Sequence, residues 1–245
     1  MFRTNNPIIS KVGSTVDFVS EEASFKGVMS KVGMLVLVTI LSAIGAVSGL
    51  LPDSLVMTGL ILSGLGTFLC ILIGSIFPTA AKVTSWIYAF AEGVLIGFVC
   101  LIAEEYVPGI SIMAVSVTAC IFFSLLIMYS TKIINVTSKF QKIVYTVFFS
   151  MFFGSIILML VNLFTNGSVA GFLNNYSVAL VISLIYVVLA SAMLLIDFER
   201  IQTAVNYRVD KKYEWTLALG LMVTLVWLFM EILRLILIIA SRNRD

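Results

Sequence analysis

Seven stretches of this chain are almost entirely apolar, and each has about the 20 residues that a helix needs to cross the hydrocarbon core of a bilayer. They cover residues 32–51, 55–77, 83–103, 110–130, 143–165, 177–197 and 216–240. A segment in lipid must satisfy its own backbone hydrogen bonds, so each run is predicted to form a helix. The predicted fold is an all-α polytopic membrane protein with seven transmembrane helices.

Composition supports this class and narrows the chemistry. The chain is 60% hydrophobic and 11% charged, whereas a soluble domain is about 45–50% apolar and about 25% charged. It contains no histidine, which excludes Ser-His and Cys-His catalysis, H-E-x-x-H zinc sites and imidazole proton relays. Cys70, Cys100 and Cys120 lie far apart inside apolar runs and are predicted to pack as small hydrophobic residues. No cofactor and no metal site is predicted.

The connecting segments predict how the chain sits in the membrane. Twelve of the 15 Lys and Arg residues lie before the first run or next to the connections after the second, fourth and sixth runs. Cytoplasmic segments are enriched in Lys and Arg, so the N-terminus is predicted to be cytoplasmic and the C-terminus outside. The membrane is predicted to be the plasma (inner) membrane. The predicted parts are a cytoplasmic tail at 1–31, a seven-helix domain at 32–240 and a C-terminal tail at 241–245.

Glu92 lies near the centre of the third run, in Y-A-F-A-E-G-V-L-I-G. Ala89, Gly93 and Gly97 follow the small-x-x-x-small spacing that lets a neighbouring helix come close. The third helix is therefore predicted to be an inner helix with Glu92 facing inward. A functional role and a structural ion pair both fit this glutamate.

The last run carries its polar side chains on one stripe. At 100° per residue, an arc of roughly 80° contains the whole set: Gly220, Thr224, Trp227, Glu231 and Arg234. Arg234 is three residues from Glu231 and able to pair with it, but it is equally able to pair with Glu92. Two acids with one arginine leave one acid without a fixed cation, which suits a cation site or a carboxyl that takes up a proton.

Further acids lie towards the two membrane surfaces. Asp197 ends the sixth run on the inner side, and Glu104 and Glu105 follow the third run on the outer side. By depth the acids predict a cation track from Glu104 and Glu105 at an outer mouth to Asp197 inside, past Glu92, Glu231 and Thr224. The simpler interpretation is an interfacial aspartate and two solvated glutamates.

Two segments carry a resemblance to a known family. They are L-L-I-D-F-E-R-I with its basic connection, and L-A-L-G-L-M-V-T-L-V-W-L-F-M-E-I-L-R-L. The chain resembles the Bax-inhibitor family (transmembrane Bax inhibitor motif, TMBIM) over all seven helices. Its Y-A-F-A-E-G-V-L-I-G and N-N-P-I-I-S segments are similar to the bacterial, YccA-like branch. The resemblance implies a central C-terminal helix and a pH-sensitive calcium leak, with Ca²⁺ as the permeant ion.

The resemblance also implies roles for particular residues. Family channels use an aspartate on the sixth helix, hydrogen-bonded to a second aspartate on the seventh, as a proton-sensitive latch. The first aspartate falls on Asp197, the second falls on Thr224, and the family's arginine falls on Arg234. A threonine hydrogen-bonds a carboxylate but does not share charge with it, so a latch of two carboxylates does not carry over unchanged.

Two other classes of function compete with a channel. A non-conducting regulator would bind another membrane protein, such as a quality-control protease, through its tail or its small-residue faces. An enzyme is not expected: an intramembrane aspartyl protease needs two facing aspartates, and Thr224 stands where the second would be. The predicted partners are the lipid bilayer and, for a regulator, a membrane protein; no nucleic acid is expected, and the sequence does not fix the oligomeric state.

Overall fold

The computed structural model describes residues 21–165 and 175–242, which form eight helices. The helices are α1 (Phe25–Val47), α2 (Asp53–Ile61), α3 (Thr67–Ile76), α4 (Ala81–Tyr106), α5 (Ile110–Ser130), α6 (Ser138–Phe164), α7 (Tyr176–Asn206) and α8 (Tyr213–Ser241). Within the described ranges, extended backbone pairs only at an isolated bridge between Glu22 and Asp210. The all-α polytopic fold is therefore confirmed.

The second apolar run is broken rather than straight. Its halves α2 and α3 meet at 64° across the π-helical turn Leu62–Gly66. Gly64 adopts ψ −110°, which is outside the helical range. Six other helices are each long and apolar enough to cross a membrane, and the bent pair brings the number to seven if it counts as one span.

Several helix ends differ from the predicted boundaries. α1 begins at Phe25, inside the predicted tail, because the Ser24 side chain caps it by accepting the Gly27 N–H at 3.0 Å. α7 continues to Asn206, so Asp197 does not end its helix. Residues 1–20 of the N-terminal tail, 166–174 of the connection before α7 and 243–245 of the C-terminal tail lie outside the described residues.

The C-terminal helix α8 is central. It packs against α1, α3, α4, α5 and α7, and Leu221, Leu228 and Ile232 on it are almost fully buried. By contrast, α6 packs mainly on α7. This arrangement confirms the central position predicted for the last helix.

Small residues bring α4 against α1, as the small-x-x-x-small spacing predicts. A Cβ on Gly97 would lie 2.7 Å from the Ala43 carbonyl oxygen, and a Cβ on Gly93 would lie 2.9 Å from Thr39 Cα. The Thr39 hydroxyl also donates to the Ala89 carbonyl across the same interface at 3.0 Å. Contact this close leaves no room for larger side chains on this face of α4.

The start of α8 is fixed to the start of α1 by Glu214, which is 1% exposed. Its carboxylate accepts the Ser24 N–H at 2.8 Å and pairs with the Lys31 ammonium. Lys31 also lies 5.4 Å from the ring centroid of Trp215. A carboxylate this deeply buried needs such partners, because its desolvation is otherwise uncompensated.

Contacts around this junction place the basic segments at one end of the bundle, which we call the basic end. The segment before α1 pairs with the α7–α8 connection, where Ala23 N–H donates to Val209 O at 2.8 Å. The Glu21 carboxylate hydrogen-bonds Lys211 and raises the pKa of its ammonium. At the same end, the Thr216 hydroxyl on α8 donates to the Gly74 carbonyl of α3 at 3.0 Å.

We predict that Gly97→Ala destabilises the protein by about 1–3 kcal/mol, the usual cost of overpacking a well-packed interface. Gly154→Ala on α6 is the matched control, because a Cβ there meets nothing within 4 Å. It should be neutral or slightly stabilising. Thermal unfolding of the two purified variants in detergent measures the difference, and equal midpoints would contradict the close α1–α4 contact.

Candidate functional site

Asp197 lies inside the bundle, where α7 meets α8. The residue is 5% exposed, and its Oδ2 lies 2.7 Å from the Thr224 hydroxyl oxygen. The Leu221 carbonyl is also within reach of that hydroxyl, at 2.9 Å. A hydroxyl has one proton, and a bond to an ionised oxygen is the stronger, so Thr224 donates to Asp197. The structure thus joins the two positions that the resemblance aligns with the latch.

The second carboxylate oxygen of Asp197 faces Arg200. Arg200 Nη1 lies 3.4 Å from Asp197 Oδ1, at the long end of hydrogen-bond geometry. Its Nη2 donates to the Tyr145 hydroxyl of α6 at 2.7 Å, and its guanidinium lies 5.7 Å from the centre of the Tyr145 ring. The Arg200 side chain is 56% exposed and that of Asp197 7%. Arg200 therefore separates the buried carboxylate from the surface.

The residues between Asp197 and Arg200 hold α7 against α5. The fully buried ring of Phe198 packs against the ring of Phe122, with centroids 5.7 Å apart. The Tyr129 hydroxyl donates to Glu199 Oε2 at 2.8 Å. One turn of α7 thus binds three helices: α8 through Asp197, α5 through Phe198 and Glu199, and α6 through Arg200.

Helix length places this turn near one membrane surface. α7 has 31 residues and is about 46 Å long at 1.5 Å per residue, which exceeds a hydrocarbon core of about 30 Å. The part of α7 after Asp197 extends to the basic end and contains Glu199, Arg200 and Gln202. Asp197 therefore lies at the boundary between the apolar part of α7 and its polar extension.

Glu231 and Arg234 lie on the same stripe of α8 as Thr224. Trp227 Nε1 donates to Glu231 Oε1 at 3.2 Å, and Arg234 Nη1 lies 3.9 Å from Glu231 Oε2. Within the described chain, Glu231 Oε2 accepts no hydrogen bond. The predicted pairing of Arg234 with Glu231 is present.

Glu92 lies in a different environment. Its carboxyl on α4 is close to the Thr67 hydroxyl at the start of α3 and to Tyr88. Arg234 forms an ion pair with Glu231. Within residues 21–165 and 175–242 it forms none with Glu92, so the predicted alternative, a pair of Arg234 and Glu92, is not present. Described hydrogen bonds and ion pairs do not link Glu92 to the stripe on α8, and a continuous track of acids remains a prediction.

The two glutamates of the predicted outer mouth lie in the last turn of α4 rather than in a loop. Glu104 accepts the N–H groups of Gly109 at 2.6 Å and Ser111 at 3.0 Å, so it caps the start of α5. Glu105 is exposed. Helix capping accounts for the geometry of Glu104, and a role for either residue in attracting ions remains a prediction.

Sequence reasoning placed Thr224 beside Asp197, but it missed Arg200 as the second partner of this carboxylate and missed the ion pair at the start of α8. Arg200 follows Asp197 by three residues, a spacing that places the two on one face of a helix, and this was the available signal. Nothing in the apolar periodicity identifies Tyr145, Tyr129 or Lys31 as partners, because each reaches its carboxylate or guanidinium from another helix. Among the described residues, no group of three or more potential metal ligands lies together.

These features define a polytopic helical membrane protein in which the central last helix donates a hydrogen bond to a buried aspartate of the helix before it. The family model described as Bax inhibitor 1 like matches residues 6–241. The chain therefore belongs to this family, as the resemblance implies. Searches of curated proteins and of solved structures returned no match. Assignment to the bacterial, YccA-like branch remains a prediction.

We predict that Thr224→Val lowers the free energy of unfolding by about 1–3 kcal/mol, because it leaves a buried carboxylate oxygen without its donor. Thr224→Ser should retain most of the stability. Thr118→Val is the matched control: Thr118 is also buried, but its hydroxyl donates only to a carbonyl of its own helix, at 2.7 Å. Unfolding in detergent measures all three, and equal losses for both valine variants would contradict the assigned hydrogen bond.

Proposed function

We propose that the protein is a pH-sensitive cation leak channel that passes Ca²⁺ and is controlled at Asp197. The observation that carries the proposal is the hydrogen bond between Asp197 and Thr224, which joins α7 to the central helix. A carboxylate at such a position is costly in a membrane protein and usually has a function. The family to which the chain belongs adds support, since calcium leak is associated with Bax-inhibitor proteins.

Protonation of Asp197 supplies the control. The ionised carboxylate accepts a hydrogen bond from Thr224 on α8 and attracts the guanidinium of Arg200. Tyr145 on α6 accepts a hydrogen bond from the same guanidinium. The nearby Glu199 accepts a hydrogen bond from Tyr129 on α5. A proton on Asp197 removes its attraction to Arg200 and weakens the bond from Thr224. Contact between α7 and α8 then loosens, so the proposed flux rises as the pH falls.

The other acids have secondary roles in this proposal. Among the described residues, Glu231 Oε2 accepts no hydrogen bond and lies 3.9 Å from Arg234 Nη1, and it offers this oxygen to a passing cation that displaces Arg234. Glu92 lies beside the break between α2 and α3, where the backbone is least regular. Glu105, exposed at the far end of α4, attracts cations to the outer mouth.

We expect purified protein in liposomes to admit Ca²⁺ at a rate that rises as the pH falls. Asp197→Asn should remove this pH dependence, because an amide does not titrate. Asp53→Asn is the matched control, since Asp53 is exposed at the start of α2. Calcium influx is followed with an entrapped dye over a series of pH values. Equal pH profiles for wild type and Asp197→Asn would remove Asp197 from the mechanism.

Absence of flux at every pH would favour the second candidate, a non-conducting regulator of another membrane protein. A specific observation supports that candidate: both oxygens of Asp197 are engaged by groups of the protein itself. A regulator that binds through its tail should lose a co-purifying membrane protease when residues 1–20 are deleted. Residues 21–27 stay in that variant because they help to fix Glu214.

We propose no enzymatic activity. An aspartyl protease places a second aspartate opposite the first, and here the group opposite Asp197 is the Thr224 hydroxyl. A threonine in that position does not share a proton with the aspartate or activate water as a carboxylate pair does.

We further propose a multi-pass protein of the plasma (inner) membrane, with the basic end in the cytoplasm and the C-terminus outside. The support is the concentration of Lys and Arg at one end of the bundle. Alkaline phosphatase, active only outside the cytoplasm, should be active when fused after Asp245. A fluorescent protein that folds only in the cytoplasm should be dark at that site and bright before Met1; the reverse pattern would contradict the orientation.

A further inference from the structure

Helix α6 lies at the edge of the bundle, and two of its aromatic residues reach α7 and the polar stripe of α8. Its packing on α7 uses a small apolar cluster of Val144, Leu189 and Ile196. On the same face of α6, three residues apart, Tyr145 reaches Arg200 and Phe148 packs edge-to-face on Trp227, with ring centroids 5.7 Å apart. These two aromatic residues therefore contact the partner of Asp197 and the partner of Glu231.

The two oxygens of Asp197 face in different directions. Oδ2 faces the buried hydroxyl of Thr224, and Oδ1 faces the half-exposed guanidinium of Arg200. Because α7 and α8 are antiparallel neighbours, Arg200 lies about one turn nearer the basic end than the pair of Asp197 and Thr224. A cation that approaches Asp197 from this end meets a fixed positive charge first.

Neighbouring side chains determine where that charge points. A free arginine side chain has many rotamers, and Tyr145 restricts those of Arg200 through a hydrogen bond and through the face of its ring. Glu199, the nearest competing carboxylate in the sequence, is hydrogen-bonded by Tyr129 on α5. Arg200 is therefore directed to Asp197 rather than to Glu199, while its side chain stays half-exposed to solvent.

We propose that Arg200 is a positioning residue that covers Asp197 from the basic end, and that Tyr145 holds this cover in place. Movement of α6 away from α7 breaks the hydrogen bond between Tyr145 and Arg200, and the loss of this bond then exposes Asp197 and Thr224. The geometric part of this inference is independent of conduction, whereas its role in regulating flux rests on the proposed channel function. The experiment below separates the two.

The test measures access to position 224. Thr224→Cys is made in a chain whose Cys70, Cys100 and Cys120 are replaced by alanine. The variant is placed in lipid nanodiscs, where a small water-soluble methanethiosulfonate reagent reaches both faces. Labelling should be slow, and it should become several-fold faster when Arg200→Ala or Tyr145→Phe is added. Arg200→Lys retains the positive charge but lacks the planar guanidinium that reaches both Asp197 and Tyr145. Its labelling rate should lie between that of the Thr224→Cys background and that of Arg200→Ala.

Arg208→Ala is the matched control. Arg208 is also at the basic end, but it pairs with Glu22 at 3.7 Å and does not contact Asp197. Its removal should leave labelling of Thr224→Cys unchanged, which separates the effect of the cover from a general loss of positive charge. Size-exclusion profiles check folding; if Arg200→Ala misfolds, the conservative Tyr145→Phe decides.

Calcium flux into liposomes provides the second measurement. If the channel function holds, Arg200→Gln and Tyr145→Phe should both raise flux several-fold at neutral pH, and Arg208→Gln should not. Faster labelling without flux in any variant would overturn the proposed function and leave the cover supported. Unchanged labelling in both Arg200→Ala and Tyr145→Phe would overturn the cover, even if wild-type flux depends on pH.

Discussion

A carboxylate buried among apolar helices needs a donor or a cation beside it, and this requirement shapes the bundle. Removal of one partner from a buried ion pair typically costs 3–5 kcal/mol, so the partners are as constrained as the acid. Glu214 holds the start of α8 against α1 through Ser24 and Lys31. Asp197 holds the middle of α8 against α7 through Thr224. The central helix is thereby fixed at two depths by carboxylates on or beside it.

The need of a buried carboxylate for partners also explains why α6 contributes to the surroundings of Asp197, although few of its residues are buried in the core. In a bilayer, lipid tails solvate an apolar helix as well as other helices do, so polar contacts carry much of the specificity of helix packing. The polar contact of α6 at this site is the bond between Tyr145 and Arg200. A peripheral helix attached in this way is easier to displace than α1 or α4, whose backbones touch.

Hydropathy was enough to predict the spans, because each crosses about 30 Å of hydrocarbon. Helical periodicity was enough to place Thr224, Glu231 and Arg234 on one stripe. Depth alone did not decide between Glu231 and Glu92 as the partner of Arg234, since it does not say which helices are neighbours. The break at Gly64 and the continuation of α7 beyond Asp197 were missed for a related reason: a hydropathy profile records where apolar residues end, not where backbone hydrogen bonding ends.

A threonine at position 224, where the resemblance places a second aspartate, changes what the buried site requires. Two facing carboxylates share a proton because their like charges repel, and they hold the helices together without an external cation. A carboxylate opposite a hydroxyl has no such shared proton, so in its ionised form it needs a cation from elsewhere. Arg200 supplies that charge from the next turn of the same helix, and Tyr145 directs it. The contacts around Asp197 therefore include a third helix, α6, which a latch of two carboxylates does not require.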